Sequence, residues 1–145
     1  MEPTPPTPIR IFDDFLPKKE LIYWQTRITE ATISGTPFNP EHEYLFEKIN
    51  ELIGLVFVGA RLYRLPPGIP ANPHQDSNQY AVVFYPYDND GTLGIYDRDH
   101  KLIDRIAIKS NRLVLLDCAN QIHAQIAGHS PRFSVVFKYR PGQDN

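Results

Sequence analysis

The chain has 145 residues, enough for one domain and too few for two. Hydrophobic residues make up 41% and charged residues 22%, a globular balance that can bury a core without disulfides. A formal net charge of -2 offers no basic field for a nucleic-acid backbone, so no nucleic-acid partner is expected. The one cysteine, Cys118, excludes an internal disulfide framework and a cysteine-based zinc site, and it fits a reducing, cytoplasmic setting.

The first eight residues hold four prolines and are expected to form an extended tail. They lack the basic start and apolar stretch of a signal peptide. No apolar run approaches the ~20 residues of a membrane span. Ile9 to Phe12 reads as a short strand. Pro17 then opens a helix whose apolar positions Leu21, Trp24, Ile28 and Ala31 recur at helical spacing. Ser34-Gly35-Thr36-Pro37 ends it. A second helix is expected after Asn39, with Pro40 in its first position and Leu45, Ile49, Leu52 and Ile53 on its apolar face.

From Leu55 the period shortens. β-rich runs are expected at about 55–65, 80–86, 92–96, 102–108, 112–117, 122–127 and 132–139, separated by clusters of Pro, Gly, Asp and Asn. Seven strands at this spacing, after two helices, predict an antiparallel sandwich or jelly roll with helices on one outer face. Barrels of this size hold ligands in the mouth, which directs attention to inward-facing polar residues.

His74-Gln75-Asp76 places an imidazole and a carboxylate on one side of an extended segment. A second imidazole would complete a two-histidine, one-carboxylate triad suited to non-haem Fe(II). By composition roughly 0.3 such triplets arise by chance, so the triplet alone is weak. His123 strengthens it. Alternation in Ile122–Ile126 sets His123 and Gln125 opposite an apolar face. Nine residues later, Arg132 and Ser134 share a strand face opposite Phe133, Val135 and Phe137. A guanidinium and a hydroxyl projecting together can clamp a carboxylate. His42, His100 and His129 show no such pattern and read as surface residues, and Cys118 reads as a small buried residue.

These residues resemble the Fe(II)- and 2-oxoglutarate-dependent dioxygenases, in particular their prolyl-4-hydroxylase-like branch, over about Ile9 to Lys138. The likeness rests on Ile11-Phe12-Asp13-Asp14-Phe15-Leu16-Pro17, Pro73-His74-Gln75-Asp76, Asp90-Gly91-Thr92-Leu93, the strand Leu113 to Asp117 leading to His123, and Arg132-Phe133-Ser134. The hairpin departs from the family's two adjacent glycines. The strand before it ends Phe84-Tyr85-Pro86 where the family commonly has Leu-Asn. The resemblance implies a double-stranded β-helix, a jelly roll, with helices packed on one sheet. It implies His74, Asp76 and His123 as iron ligands and Arg132 with Ser134 as the grip on the far carboxylate of 2-oxoglutarate. Tyr63, 11 residues before His74, would contact the co-substrate, with Tyr80 and Tyr85 as alternatives. Fe(II), 2-oxoglutarate and O2 are the implied cofactors and co-substrates, with ascorbate as a further candidate. The implied reaction hydroxylates a C–H bond of a peptidyl proline, amino acid or other small substrate and releases succinate and CO2. A cupin-like binding or structural jelly roll and a nucleic-acid demethylase are the competing readings. Tyr85, Tyr87, Tyr96, Arg64 and Arg98 are candidate rim residues for a peptide or small-molecule substrate.

Overall fold

A computed structural model of the chain describes residues 9–29, 35–76 and 79–142. The expected N-terminal tail and Ala31 lie outside those residues. The described residues form two helices and nine strands, in chain order β1 (Arg10–Phe12), α1 (Lys18–Ile28), β2 (Thr36–Phe38), α2 (Tyr44–Leu52), β3 (Val56–Leu65), β4 (Tyr80–Tyr85), β5 (Asn89–Tyr96), β6 (Leu102–Ile108), β7 (Arg112–Asp117), β8 (Ile122–Ile126) and β9 (Arg132–Arg140). The strands form a six-stranded sheet, β1-β7-β4-β9-β3-β2, and a three-stranded sheet, β6-β5-β8, in which all paired strands run antiparallel.

Two hydrophobic layers hold these sheets. Trp24 and Ile28 of α1 and Leu45 and Ile49 of α2 are fully buried against Leu62, Val82, Phe84, Val135 and Phe137 on the outer face of the large sheet. Between the sheets lie Ala81, Val83, Tyr85, Leu93, Ile95, Ile106, Ile108, Val114 and Leu116. β4 therefore has a core on each side. It reads Tyr-Ala-Val-Val-Phe-Tyr, an apolar run closed by aromatics rather than an apolar–polar alternation. Each fully buried large apolar side chain contributes about 1.5–3 kcal/mol, so the helices and the small sheet are each anchored by several such groups.

Three boundaries differ from expectation. α2 begins at Tyr44 rather than Pro40. Pro40 instead opens a turn in which the Glu43 N–H donates to the Pro40 carbonyl at 2.9 Å, and His42 there has φ +71. A left-handed residue cannot continue a right-handed helix, so helix forms only beyond it. Thr36 and Pro37, read as part of the Ser34-Gly35-Thr36-Pro37 terminator, instead belong with Phe38 to β2 on the edge of the large sheet, where Pro37 is tolerated. β5 starts at Asn89 instead of residue 92, through a register shift between Asn89 and Thr92. Gly91 lies in that irregular stretch. A Cβ there would fall 2.5 Å from the Ile126 carbonyl and collide with the Arg132 guanidinium, so only glycine fits.

Asn111 ties the N-terminal segment to the sheet. Its φ is +64, and its side chain accepts from the Leu16 N–H and donates to the Leu16 carbonyl, both at 2.8 Å. Beside it Arg112 forks onto both oxygens of Asp13, at 2.7 and 3.0 Å, and this pairing raises the guanidinium's proton affinity against the opposing effect of burial.

Candidate metal and co-substrate site

The inner faces of the two sheets enclose a cavity of about 240 Å³. Register decides which side chains enter it. In the β3–β9 pair Tyr63 faces Ser134 and Leu65 faces Arg132, so all four project the same way. Continuing the period of two along β9 adds Val136 and Lys138. Ala81 and Val83 of β4, Leu93 of β5 and Leu116 of β7 supply apolar walls, and His74, Asp76, His123 and Gln125 complete the lining.

His74 and His123 are held together by main chain. Each donates its N–H to the other's carbonyl at 3.0 Å, forming an isolated antiparallel bridge. Their rings lie 4.5 Å apart. His74 Nδ1 lies 2.7 Å from the Asn72 carbonyl, and His123 Nδ1 lies 3.0 Å from the Gln121 carbonyl. A carbonyl only accepts, so each Nδ1 carries a proton and, in the neutral ring, each Nε2 keeps its lone pair. Both Nε2 atoms stand 3.7 Å from Asp76 Oδ2. The three residues offer one ligand atom each within 4.8 Å of one another, an arrangement that could hold a metal ion. Burial lowers the proton affinity of His123, and the neighbouring His74 acts in the same direction, both favouring the neutral imidazole a cation needs.

The loop after β7 aims this set. The Asp117 carboxylate accepts from the N–H groups of Ala119 and Asn120 at 3.2 Å and from the Asn120 side chain at 2.8 Å, closing the turn that returns the chain to His123. The Cys118 carbonyl accepts the Asp76 N–H at 2.9 Å, and Gln75 donates to the Ala119 carbonyl at 2.9 Å. The Cys118 thiol is fully buried, and burial pushes it up to about 11. Its contribution to the site is through the backbone.

At the other end of the cavity Arg132 is 3% exposed. It donates to Gln125 Oε1 and to the carbonyls of Thr92 at 3.2 Å and Ile126 at 2.6 Å. Burial lowers its proton affinity, yet a guanidinium starts so high that it stays charged near neutrality. Its Nε has no hydrogen-bond partner among the described residues. Neither has the Tyr85 hydroxyl nor Thr92 Oγ1, and all three atoms are buried. Burial pushes the Tyr85 phenol up to about 12, against the opposing pull of nearby Arg132, so it keeps its proton as a donor.

The sequence left open which face of β4 turns inward. It is the face of Ala81, Val83 and Tyr85, whereas Tyr80 packs with the helix-side core. Tyr63 lines the cavity, its ring lying over Gly35. Tyr85 is fully buried and is no rim residue. Tyr87 is not one either: it packs on Phe133 and donates to the Gln25 carbonyl of α1 at 3.0 Å. Arg64 faces Phe133 in the β3–β9 register and lies over that ring, on the helix side of the sheet. Arg98 is exposed in the β5–β6 turn and Tyr96 is half-buried. His42, His100 and His129 are exposed, as expected. His129 nonetheless pairs with Asp90 at 2.7 Å, clasping the β5 start to the loop before β9. Sequence reasoning missed Lys138, whose Nζ is 3.7 Å from Asp76 Oδ2. Its signal was present, since it continues the i, i+2 row of Arg132 and Ser134.

No family model and no curated protein matches the sequence. Solved structures do match. A viral collagen prolyl hydroxylase from Paramecium bursaria Chlorella virus-1 superposes with a TM-score of 0.71 at 15% identity, covering 93% of this chain and 90% of its own. A Pseudomonas putida prolyl-4-hydroxylase gives 0.67 at 16% identity, covering 93% of each chain. HygX from Streptomyces hygroscopicus, solved with nickel and 2-oxoglutarate bound, gives 0.72 at 12% identity, covering 92% and 81%. Two facing antiparallel sheets, and likeness to these enzymes over nine-tenths of the chain, give this protein the fold of the prolyl-4-hydroxylase-like 2-oxoglutarate dioxygenases.

Proposed function

We propose that the chain is an Fe(II)- and 2-oxoglutarate-dependent dioxygenase that hydroxylates a C–H bond of a peptidyl proline, amino acid or other small substrate. The observation that carries this reading is the meeting of two imidazole Nε2 atoms with one Asp76 oxygen, in a cavity that also presents Arg132. Two buried donors without a hydrogen-bond partner among the described residues, the Tyr85 hydroxyl and Arg132 Nε, support it, because an unmatched buried donor fits an acceptor such as a carboxylate. Fold neighbours are solved with iron, nickel and 2-oxoglutarate bound, one in complex with a hypoxia-inducible-factor peptide fragment and another with hygromycin B bound.

In this reading His74 and His123, through Nε2, and Asp76, through Oδ2, hold Fe(II). Neutral imidazoles and one carboxylate leave coordination positions open for other ligands. Arg132, Tyr85 and Ser134 receive the far carboxylate of 2-oxoglutarate, and Tyr63 lies along its flank. When bound, iron and 2-oxoglutarate supply oxidative decarboxylation to succinate and CO2, coupled to hydroxylation by O2. The walls formed by Ala81, Val83, Leu93 and Leu116 keep water from the co-substrate. The buried thiol and absence of a disulfide partner suit a cytoplasmic enzyme.

Succinate formation with Fe(II), 2-oxoglutarate and a panel of proline peptides and amino acids tests the proposal. His74→Ala and Asp76→Ala are expected to abolish it. Arg132→Met is expected to weaken 2-oxoglutarate binding about 100-fold, the effect of removing a charged hydrogen-bond partner from a buried carboxylate. Parent-like co-substrate affinity in Arg132→Met would overturn the assignment.

A further inference from the structure

The cavity holds one charged group that the proposed chemistry does not use. Lys138 lies on the inner face of β9, six residues beyond Arg132, or about 20 Å of extended strand. Arg132 is almost fully buried, whereas the Lys138 side chain is 33% exposed, at the open end beside the metal-ligand set. Among the described residues its ion-pair partner is Asp76, at 3.7 Å.

That pairing changes once Asp76 serves a cation. A carboxylate bound to a divalent ion has its charge taken up there, and the ammonium beside it then faces like charge. The remaining charges can be counted. A divalent ion, Asp76, Arg132, Lys138 and a doubly charged 2-oxoglutarate leave the cavity one positive charge over. The lining wall adds no compensation, since Leu65, Ala81, Val83, Leu93, Leu116 and Val136 are apolar, and Asp90, the carboxylate that acts on Arg132, lies outside the lining and is engaged by His129. A single additional anion balances the site. Lys138 is suited to receive it, because an ammonium on a four-carbon stem can turn away from Asp76 without moving the strand.

We infer that Lys138 is a specificity-determining residue that binds a carboxylate of the substrate being oxidised, so that the preferred substrate is a small carboxylic acid or a segment bearing one. The inference rests on the dioxygenase reading and narrows its substrate class. A neutral peptidyl segment would leave the ammonium unmatched beside the metal.

The experiment is calorimetric binding, without O2, to the full chain loaded with Fe(II) and 2-oxoglutarate. One set of probes is acetate, benzoate and L-proline, each against its amide. A second is a short proline peptide with a flanking glutamate, against the same peptide with glutamine. At least one acid is expected to bind about tenfold or more tightly than its amide. The set in which this occurs separates free acids from peptide carboxylates. Lys138→Met should bring that ratio close to one and leave 2-oxoglutarate affinity within about twofold. Lys138→Arg should retain the preference. Equal binding of every acid and amide by the loaded parent overturns the inference alone, as does the absence of binding by any acid. A preference that survives in Lys138→Met also overturns it. So does a tenfold loss of 2-oxoglutarate affinity in that variant, which would assign Lys138 to the co-substrate. Failure of the parent to take up Fe(II) and 2-oxoglutarate would remove the dioxygenase reading itself, and is seen in the loading step.

Discussion

Replacing Tyr85 by phenylalanine should move two measured quantities in opposite directions. The hydroxyl is buried and has no hydrogen-bond partner among the described residues, with Arg132 Nε also unpartnered. A buried hydroxyl without a partner costs about 1–3 kcal/mol of desolvation, so its removal relieves the ligand-free protein. Taking 1 kcal/mol, the melting temperature should rise about 3–4 °C for a domain of this size. With co-substrate present the same hydroxyl is proposed to donate to a carboxylate, a charged hydrogen bond of about 1.5–3 kcal/mol. Its loss should weaken 2-oxoglutarate binding about 10- to 100-fold. Thermal melts of the ligand-free chain and calorimetry of the Fe(II)-loaded chain read the two effects. Tyr63→Phe is the comparison, because Tyr63 lines the cavity without a buried, unpartnered hydroxyl. If Tyr85→Phe destabilises the ligand-free protein and leaves 2-oxoglutarate affinity unchanged, the reasoning fails.

Metal removal should be visible as stability. Fe(II) held anaerobically at 100 times its Kd adds about 2.7 kcal/mol, chelation should reverse the gain, and Asp76→Ala should show none of it by thermal melt. Asn111→Ala strips both backbone groups of buried Leu16 of their partners and forces alanine to φ +64. A loss of about 3 kcal/mol in urea unfolding is expected, with Asn111→Gly, which tolerates that φ, losing less. The Asp90 carboxyl is lowered to about 2, first by the His129 backbone N–H and then by its ring. A depressed carboxyl stabilises above its unfolded value and loses that contribution as pH falls. Amide NMR of residues 89–91 and 128–130 should therefore report loosening between about pH 4 and pH 2, absent in Asp90→Asn, with intermediate pH near 7 unaffected.

What the sequence revealed follows from the reach of each signal. Period-two alternation placed Arg132 with Ser134 and His123 with Gln125 on the cavity side, and the structure brings all four to one lining. The same alternation divided β4 into two faces but could not say which turned inward, because both are buried. Arg64 and Tyr87 failed as rim candidates for a related cause. Arg64 and Tyr87 are polar and lie near cavity strands, yet their faces are set by pairing with β9 and α1, contacts between residues far apart in sequence. β2 was hidden because three residues around a proline carry no periodicity, and its pairing with β3 supplies the order. Pro40 misled because proline favours a helix start and a turn start alike, and the left-handed His42 chose the turn. Lys138 was overlooked because a lysine near a strand end reads as solvated surface until the opposite wall is in place.

The reciprocal main-chain bridge between His74 and His123 has a consequence for redesign. The spacing of these two donor positions is written in peptide groups, which no side-chain exchange alters. Swapping either imidazole for a thiolate or a second carboxylate would thus retune the hardness of the donor set on an unchanged frame. The scaffold could be screened for different transition ions without rebuilding its backbone.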